Sequence, residues 1–582
     1  MNNRNYKSVR TAAAVLGESQ LKFRIGLARQ RTQSYPLDSM DFIMMDLERP
    51  DGCRRFADFC TGDLTGRLLE FLSCSDGIDG KSDPRLSELF ERMLKQRQPS
   101  GLFGRPGFIV DASEPWTTNE CFAACARYFP GFIRYHALTG DSRALDAAIG
   151  LADLTLRSRD AWYERLKQRG GRAIEFWITE PLALLYGVTG NKAYLDFVGM
   201  INDGLDMPDK GTKGTHAHGY LATLRGLQLA ALITGDAAWR EKPEAARRMI
   251  AERYETPDGG VAEHFPTKFN RRNEGCAIAD WLMLNLNAGL LGADDAAYEK
   301  AERILWNALA FNQWINGSFG LRCITPNGYG MHELHEAWCC CVHHAGMAMT
   351  EYARHAVTFV NQTVRINLLA PGTYRLALDR GRTIEVRIET RYPSKAATTI
   401  RATGVPADVK VRVRVPGCVK DAVLSEAREG ERVLVSLQGR LGHMWEDCHP
   451  GVVLKYGPLV LASSSTYRGP ATNTNAPSEA LDADMENVMI GGTAGSLPKG
   501  TETLLLKDRV GEDGFLRLSD QPRPAWCYDD EIPDGPCWIE GAPVNVPVKF
   551  ANGEIKELRF TPMCSNLSFY ALYETPVRYD LA

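Results

Sequence analysis

The chain has 582 residues, 44% of them hydrophobic and 24% charged, with a net charge of −4. That length exceeds what one hydrophobic core fills, so about two to four domains are expected of an ordinary soluble protein. The near-neutral balance excludes an electrostatic footprint for nucleic acid, and no apolar run approaches the roughly 18 residues that span a bilayer. Between Met1 and Gln20 the only apolar stretch is Ala12-Ala13-Ala14-Val15-Leu16, shorter than a secretory core. The 15 cysteines show no framework spacing. A reducing, cytoplasmic setting is therefore expected.

Up to about residue 100 the chain mixes amphipathic pieces with loops. Phe56-Ala57-Asp58-Phe59 and Leu64 to Leu72 read as helical, and Gly101 to Gly107 as a glycine-rich break. A recurring signature follows. Helical segments end at Thr139-Gly140-Asp141, Thr189-Gly190-Asn191 and Thr234-Gly235-Asp236, with a degenerate copy at Leu291-Gly292-Ala293-Asp294. Glycine at a helix end followed by Asp or Asn joins a C-cap to an N-cap, so each copy marks a helical hairpin. Hairpins repeated at this interval bury their faces against neighbours. The expected result is an (α/α)6 barrel over residues 1–355.

After about Ala356 the apolar period changes from 3.6 to 2. Val364 to Leu368, Ile384 to Ile388, Val409 to Val415, Val433 to Leu437 and Phe569 to Tyr573 alternate apolar and polar residues. Short alternating strands between Gly, Pro and Asp turns predict β-sandwich layers. One is expected over 356–462. Residues 463–582 form a second sandwich or a continuation of the first, and Tyr467 to Gly500 reads as a long loop.

The densest chemistry lies in His332-Glu333-Leu334-His335-Glu336-Ala337-Trp338-Cys339-Cys340-Cys341-Val342-His343-His344. Thiolates and imidazoles are the favoured donors for zinc. The His332/His335 spacing is one residue short of the zincin motif, which argues against that protease class. Upstream, Asn273-Glu274-Gly275-Cys276 opens an apolar helix. A carboxylate and a thiol from there, with two of Cys339, Cys340 and Cys341, supply four donors. Cys276 on its own would read as a small buried apolar residue. The turn Gly259-Gly260 delivers Glu263, which suits a general acid or an exposed loop equally. His216 and His218 open a helix, and at i, i+2 they do not share a helical face. Trp116 to Glu120 and Glu175-Phe176-Trp177 pair aromatics with acids; sugar binding and helix-end electrostatics both account for that.

These stretches resemble glycoside hydrolase family 127, the β-L-arabinofuranosidase family, or a close relative. Glu274-Gly275-Cys276-Ala277 is similar to its Glu-Thr-Cys-Ala, His216 to Asp236 to its His-Ala helix, and Leu454 to Val460 to its Arg-Gly-Pro-Leu-Val strand. The resemblance implies Zn2+ held by Glu274, Cys276, Cys340 and Cys341. It also implies Cys340 as nucleophile, Glu263 as acid/base and His216 as a sugar contact. Val342-His343-His344 stands where the family has Pro-Pro-Asn, and Cys339 leaves the register open by one. Cys339, His218, His343 and His344 therefore carry no fixed role.

The activity so implied is a retaining exo-glycosidase on a β-L-arabinofuranoside or similar terminal sugar. The expected partner is a small saccharide or glycoconjugate, without nucleic acid or membrane, and a homodimer is left open. Two rivals share the architecture. One is a uronic-acid-processing hydrolase or lyase, or a sugar epimerase, on the same barrel; the other is a non-catalytic carbohydrate-binding protein with a structural zinc.

Overall fold

The structure, a computed structural model, describes residues 9–34, 37–48, 62–104, 115–168, 177–208, 215–268, 271–313, 317–319, 321–325, 328–331, 340–378, 381–447, 452–464, 539–549, 555–565 and 574–575. Phe56 to Phe59, Tyr467 to Gly500 and Phe569 to Tyr573 lie outside these residues.

The helices are α1 (Gln20–Thr32), α2 (Met40–Glu48), α3 (Asp63–Ser75), α4 (Leu86–Lys95), α5 (Pro115–Thr139) and α6 (Ser142–Gln168). They continue with α7 (Thr179–Thr189), α8 (Lys192–Gly204), α9 (Ala217–Thr234), α10 (Glu241–Arg253), α11 (Gly275–Gly292) and α12 (Asp295–Arg303). A π-helical turn, Ile304–Leu309, leads into the short α13 (Ala310–Asn312), and α14 (Cys340–His355) closes the series.

The repeated Thr-Gly-Asp signature works as read. Thr139 Oγ1 donates to the Tyr135 carbonyl and accepts from Asp141 N–H at 3.1 Å. Thr189 with Asn191 and Thr234 with Asp236 repeat that arrangement at 3.2 and 3.1 Å. The glycine between them is left-handed in all three, with φ of 76°, 71° and 75°. Asp or Asn then caps the next helical segment. Each hairpin is thus closed by its own sequence.

Six of these helices form a closed ring: α3, α5, α7, α9, α11 and α14 pack in that order, and α14 returns to α3. An outer helix backs each one: α4, α6, α8, α10, α12 and α1 respectively. This is the (α/α)6 barrel. The inner helices approach closely where glycine permits it. A Cβ on Gly66 would lie 2.5 Å from the Tyr128 backbone, and one on Gly226 would lie 2.5 Å from Glu180 N. Helices α3 and α11 are buried nearly end to end, so their polar residues point into the barrel, where they need partners.

The β layers begin at the very start of the described chain. Strands β1 (Val9–Thr11) and β2 (Ala13–Leu16), grouped with the barrel in the sequence reading, pair instead with strands that follow α14. Three short pieces belong to the barrel loops: β3 (Thr215–His216) with β4 (His264–Phe265), and β5 (Arg271–Glu274) with β6 (Leu321–Thr325) and β7 (Gly328–Met331). Next come β8 (Val357–Val360), β9 (Thr363–Ile366), β10 (Gly372–Ala377), β11 (Thr383–Thr390), β12 (Thr398–Thr403) and β13 (Lys410–Val413). They are followed by β14 (Lys420–Glu429), β15 (Arg432–Arg440), β16 (His443–Asp447), β17 (Val452–Tyr456), β18 (Leu459–Ser464), β19 (Val544–Lys549) and β20 (Ile555–Pro562).

One sheet runs β1-β8-β9-β13, a second β14-β15-β12-β11-β10-β2, and a third β16-β17-β18-β20-β19. The third draws strands from both sides of residue 463. Within it, Leu454 to Val460 is a hairpin turning at Gly457 (φ 56°) and not a single strand. Asn307 in the π-helical turn holds this hairpin to the barrel, donating to Pro458 O at 3.1 Å and accepting from Val460 N–H at 2.6 Å.

Candidate active site and metal centre

The N-termini of two adjacent inner helices carry the four expected donors. Glu274 stands at the N-cap position of α11, its side chain making no capping bond, and Cys276 lies in the first turn; Cys340 and Cys341 open α14. Helix N-termini favour negative charge, which suits thiolates there. Between the two α11 donors, Gly275 leaves no room for a side chain. A Cβ there would meet Asn312 Oδ1 at 2.9 Å and Cys341 Cβ at 3.2 Å.

The four donor atoms lie within 4.8 Å of one another. Cys276 Sγ is 3.7 Å from Cys341 Sγ, Cys340 Sγ is 3.7 Å from Glu274 Oε1, and the two neighbouring sulfurs are 4.0 Å apart. Tetrahedral zinc with ordinary Zn–S and Zn–O bonds would require edges of about 3.8 Å between sulfurs and about 3.6 Å from sulfur to oxygen. The cluster therefore fits zinc in donor type and in spacing. Burial pushes the Cys276 thiol well above its ordinary range, which a bound cation would reverse. Cys340 is the least buried of the four.

Above the cluster stands a second group. His216 Nε2 is 3.2 Å from Glu274 Oε2, and His216, Glu263 and Glu274 each place a donor atom within 4.8 Å of the others. The two-stranded pairing of β3 and β4 sets this up, opposing His216 to His264 and holding Ala217 N–H on Glu263 O at 2.7 Å. Glu263 is only 2% exposed, so the exposed-loop reading of it does not hold. His264, with Nδ1 4.0 Å from Glu263 Oε2, is more open, and Trp177 sits edge-on to His216.

Beneath the sulfurs lies an ionic network. His218, 1% exposed, faces the barrel interior, where its Nδ1–H meets Asp280. Its Nε2 lies 3.0 Å from Arg67 Nη2 and 2.9 Å from Arg127 Nη2. Guanidinium groups only donate, so Nε2 must accept and His218 must be neutral. Burial, reinforced by the two arginines against Asp280, lowers its pKa accordingly. His344 Nε2 donates to Asp280 Oδ1 at 2.9 Å, and burial lowers its pKa too. Burial alone would raise Asp280; the histidine N–H groups and the Arg225 charge overcome it and hold the carboxyl well below its usual range. His218, Asp280 and His344 have metal-ligand chemistry. Two guanidinium donors on the acceptor nitrogen nonetheless make that spot unfit for a cation.

His218 and His344 thus frame the site and stand apart from the sulfur cluster. His343 is buried on α14, while Cys339, His332, His335, Glu175 and Phe176 lie outside the described residues. Trp116 to Glu120 belong to α5, with side chains outside the description. Asp63, Arg67, Arg127 and Asp280 escaped the sequence reading. A signal was present, because Asp63/Glu70, Arg127/Arg134, His218/Arg225, Asp280/Asn287 and His344/Glu351 all repeat at seven residues on inner helices. Two helical turns separate two ionic layers along the barrel axis.

The fold matches solved glycosidases. A GH127 β-arabinofuranosidase, BT3674, superposes with a TM-score of 0.65 at 15% identity, over 99% of this chain and 98% of that one. A GH127 β-L-arabinofuranosidase from Geobacillus stearothermophilus T6 gives 0.62 at 17% identity, over 79% of this chain and 87% of that one. At such identities the likeness shows the fold. No curated protein matches the sequence. The model of the β-L-arabinofuranosidase GH127 catalytic domain matches residues 48–354, more than half of the chain. With the Glu-Cys cluster inside that span, the chain belongs to the GH127 β-L-arabinofuranosidase family of glycoside hydrolases.

Proposed function

We propose that the protein is a zinc-dependent retaining exo-glycosidase acting on β-L-arabinofuranosides or a similar terminal sugar. The observation that carries this reading is the convergence of Glu274, Cys276, Cys340 and Cys341, with Glu263 and His216 beside them. Those four residues would hold the ion. When bound, zinc keeps its thiol ligands deprotonated at neutral pH.

The half-buried Cys340 Sγ attacks the anomeric carbon as the glycosidic C–O bond breaks, and Glu263 gives its proton to the departing oxygen. A C–S bond to the sugar results. Glu263, now a carboxylate, takes a proton from water; the water oxygen displaces Cys340 Sγ from the anomeric carbon, which returns as thiolate. Two inversions give net retention, as in enzymes with a carboxylate nucleophile. His216, fixed against Glu274, offers its ring to the sugar hydroxyls.

The test is a panel of nitrophenyl furanosides and pyranosides assayed with and without chelator. Turnover of the β-L-arabinofuranoside, lost with chelator and restored by zinc, is the expected result. Activity untouched by complete zinc removal would overturn the metal-thiolate reading.

A further inference from the structure

We propose that Arg67 is the counter-charge and positioning residue of the thiolate cluster, and that its charge sets how tightly the cluster holds its ion. The inference rests on the zinc reading above. It concerns a residue outside the donor set.

Arg67 lies on α3, is 5% exposed, and is fixed at three points. Its Nη1 is 3.9 Å from Cys276 Sγ, Nη2 is 3.0 Å from His218 Nε2, and Nε is 3.0 Å from Asp63 Oδ2. His218 is itself locked by Asp280, so the guanidinium cannot swing away from the sulfur. A divalent ion with one carboxylate and three thiolates carries a net charge of about −2, which is costly away from water. Asp63 is shared between Arg67 and Arg127, leaving that trio one positive charge in excess. Arg67 brings the excess against the cluster. N–H donation to Cys276 also holds that sulfur as an anchor. Partners of this kind around a metal site typically change its affinity by about 10–100-fold.

The experiment compares wild type, Arg67→Lys and Arg67→Gln by zinc competition against a chromogenic chelator and by the melting temperature of each with and without zinc. Arg67→Gln, which keeps a polar group without charge, should bind zinc at least about tenfold more weakly and gain less stability from it. Arg67→Lys should stay within about threefold of wild type. A purely structural role would lower both melting temperatures together and leave affinity unchanged. Zinc binding by Arg67→Gln within about threefold of wild type overturns the proposal. So does a tenfold loss in folded Arg67→Lys, a result that stands even if the glutamine variant does not fold. Wild-type protein that binds no zinc overturns the function proposed above as well, whereas unchanged binding in the variants sinks this inference alone.

Discussion

Cys276 Sγ lies 3.7 Å from Cys341 Sγ although 65 positions separate them in the chain. The contact exists because α11 and α14 are neighbours in the inner ring and both begin at the same end of the barrel. Replacing either sulfur by Ser should weaken zinc binding by at least about 100-fold, measured by metal content after gel filtration. Cys340→Ser should instead show its main loss in turnover, about a thousandfold or more, with an unchanged far-UV spectrum. Near-normal activity in that variant would reassign the nucleophile.

Glu263→Gln separates the two half-reactions. A nitrophenolate leaves without a proton, so kcat/KM on nitrophenyl glycosides should fall little, whereas on alkyl glycosides it should fall about 10²–10⁴-fold. Second-step base catalysis is lost for both, so kcat drops even on the nitrophenyl substrate, and azide should restore it. Equal loss of kcat/KM on both substrate types would remove Glu263 from this role.

The elements most legible in the sequence are those whose cause is local. Thr-Gly-Asp closes a hairpin with its own backbone and side chains, so three of its copies could be located without knowing what they pack against. Glu274 and Cys276 were legible only beside the distant Cys339-Cys340-Cys341 run, since a carboxylate and a thiol at a helix start are a weak signal alone. The ionic layers were less so. Arg67 and Asp280 acquire meaning only when the ring closes and α3 faces α11 through His218. Likewise, Val9–Thr11 carries too few residues to announce a strand, and only pairing with Val357–Val360 makes it one.

The lower ionic layer predicts a pH effect on stability. Burial, and then the neighbouring Glu180 charge, push the Glu70 carboxyl up to about 7 against the pull of Arg134, Arg225 and Arg67. The folded state thus keeps this proton at pH values where the unfolded chain has lost it. Its contribution is full below the ordinary carboxylate pKa and is lost as pH rises toward 7. Glu70→Gln removes that dependence. Relative to wild type the variant should gain stability between pH 5 and pH 8, by up to about 3 kcal/mol. Parallel denaturant curves for the two proteins across this range would refute the shifted carboxyl.

The degenerate hairpin marker offers a test of sign. Ala293, at φ 52°, takes the left-handed position that Gly140, Gly190 and Gly235 fill elsewhere, and Asp294 still caps α12 through Ala296 N–H at 3.0 Å. A left-handed alanine costs about 1–2 kcal/mol. Glycine there would add back about 0.4–1 kcal/mol of unfolded-state entropy. The first term is larger, so Ala293→Gly should stabilise the protein by roughly 0.5–1 kcal/mol. Gly235→Ala reverses both terms, strain outweighing the entropy gained, and should move the denaturation midpoint the other way. The Ala293 carbonyl accepts from Arg365 Nη2 at 3.2 Å, and that contact survives the substitution because it uses only the main chain. A destabilised Ala293→Gly would mean that the entropy term outweighs the strain, and that this fourth marker has settled into its conformation at little cost.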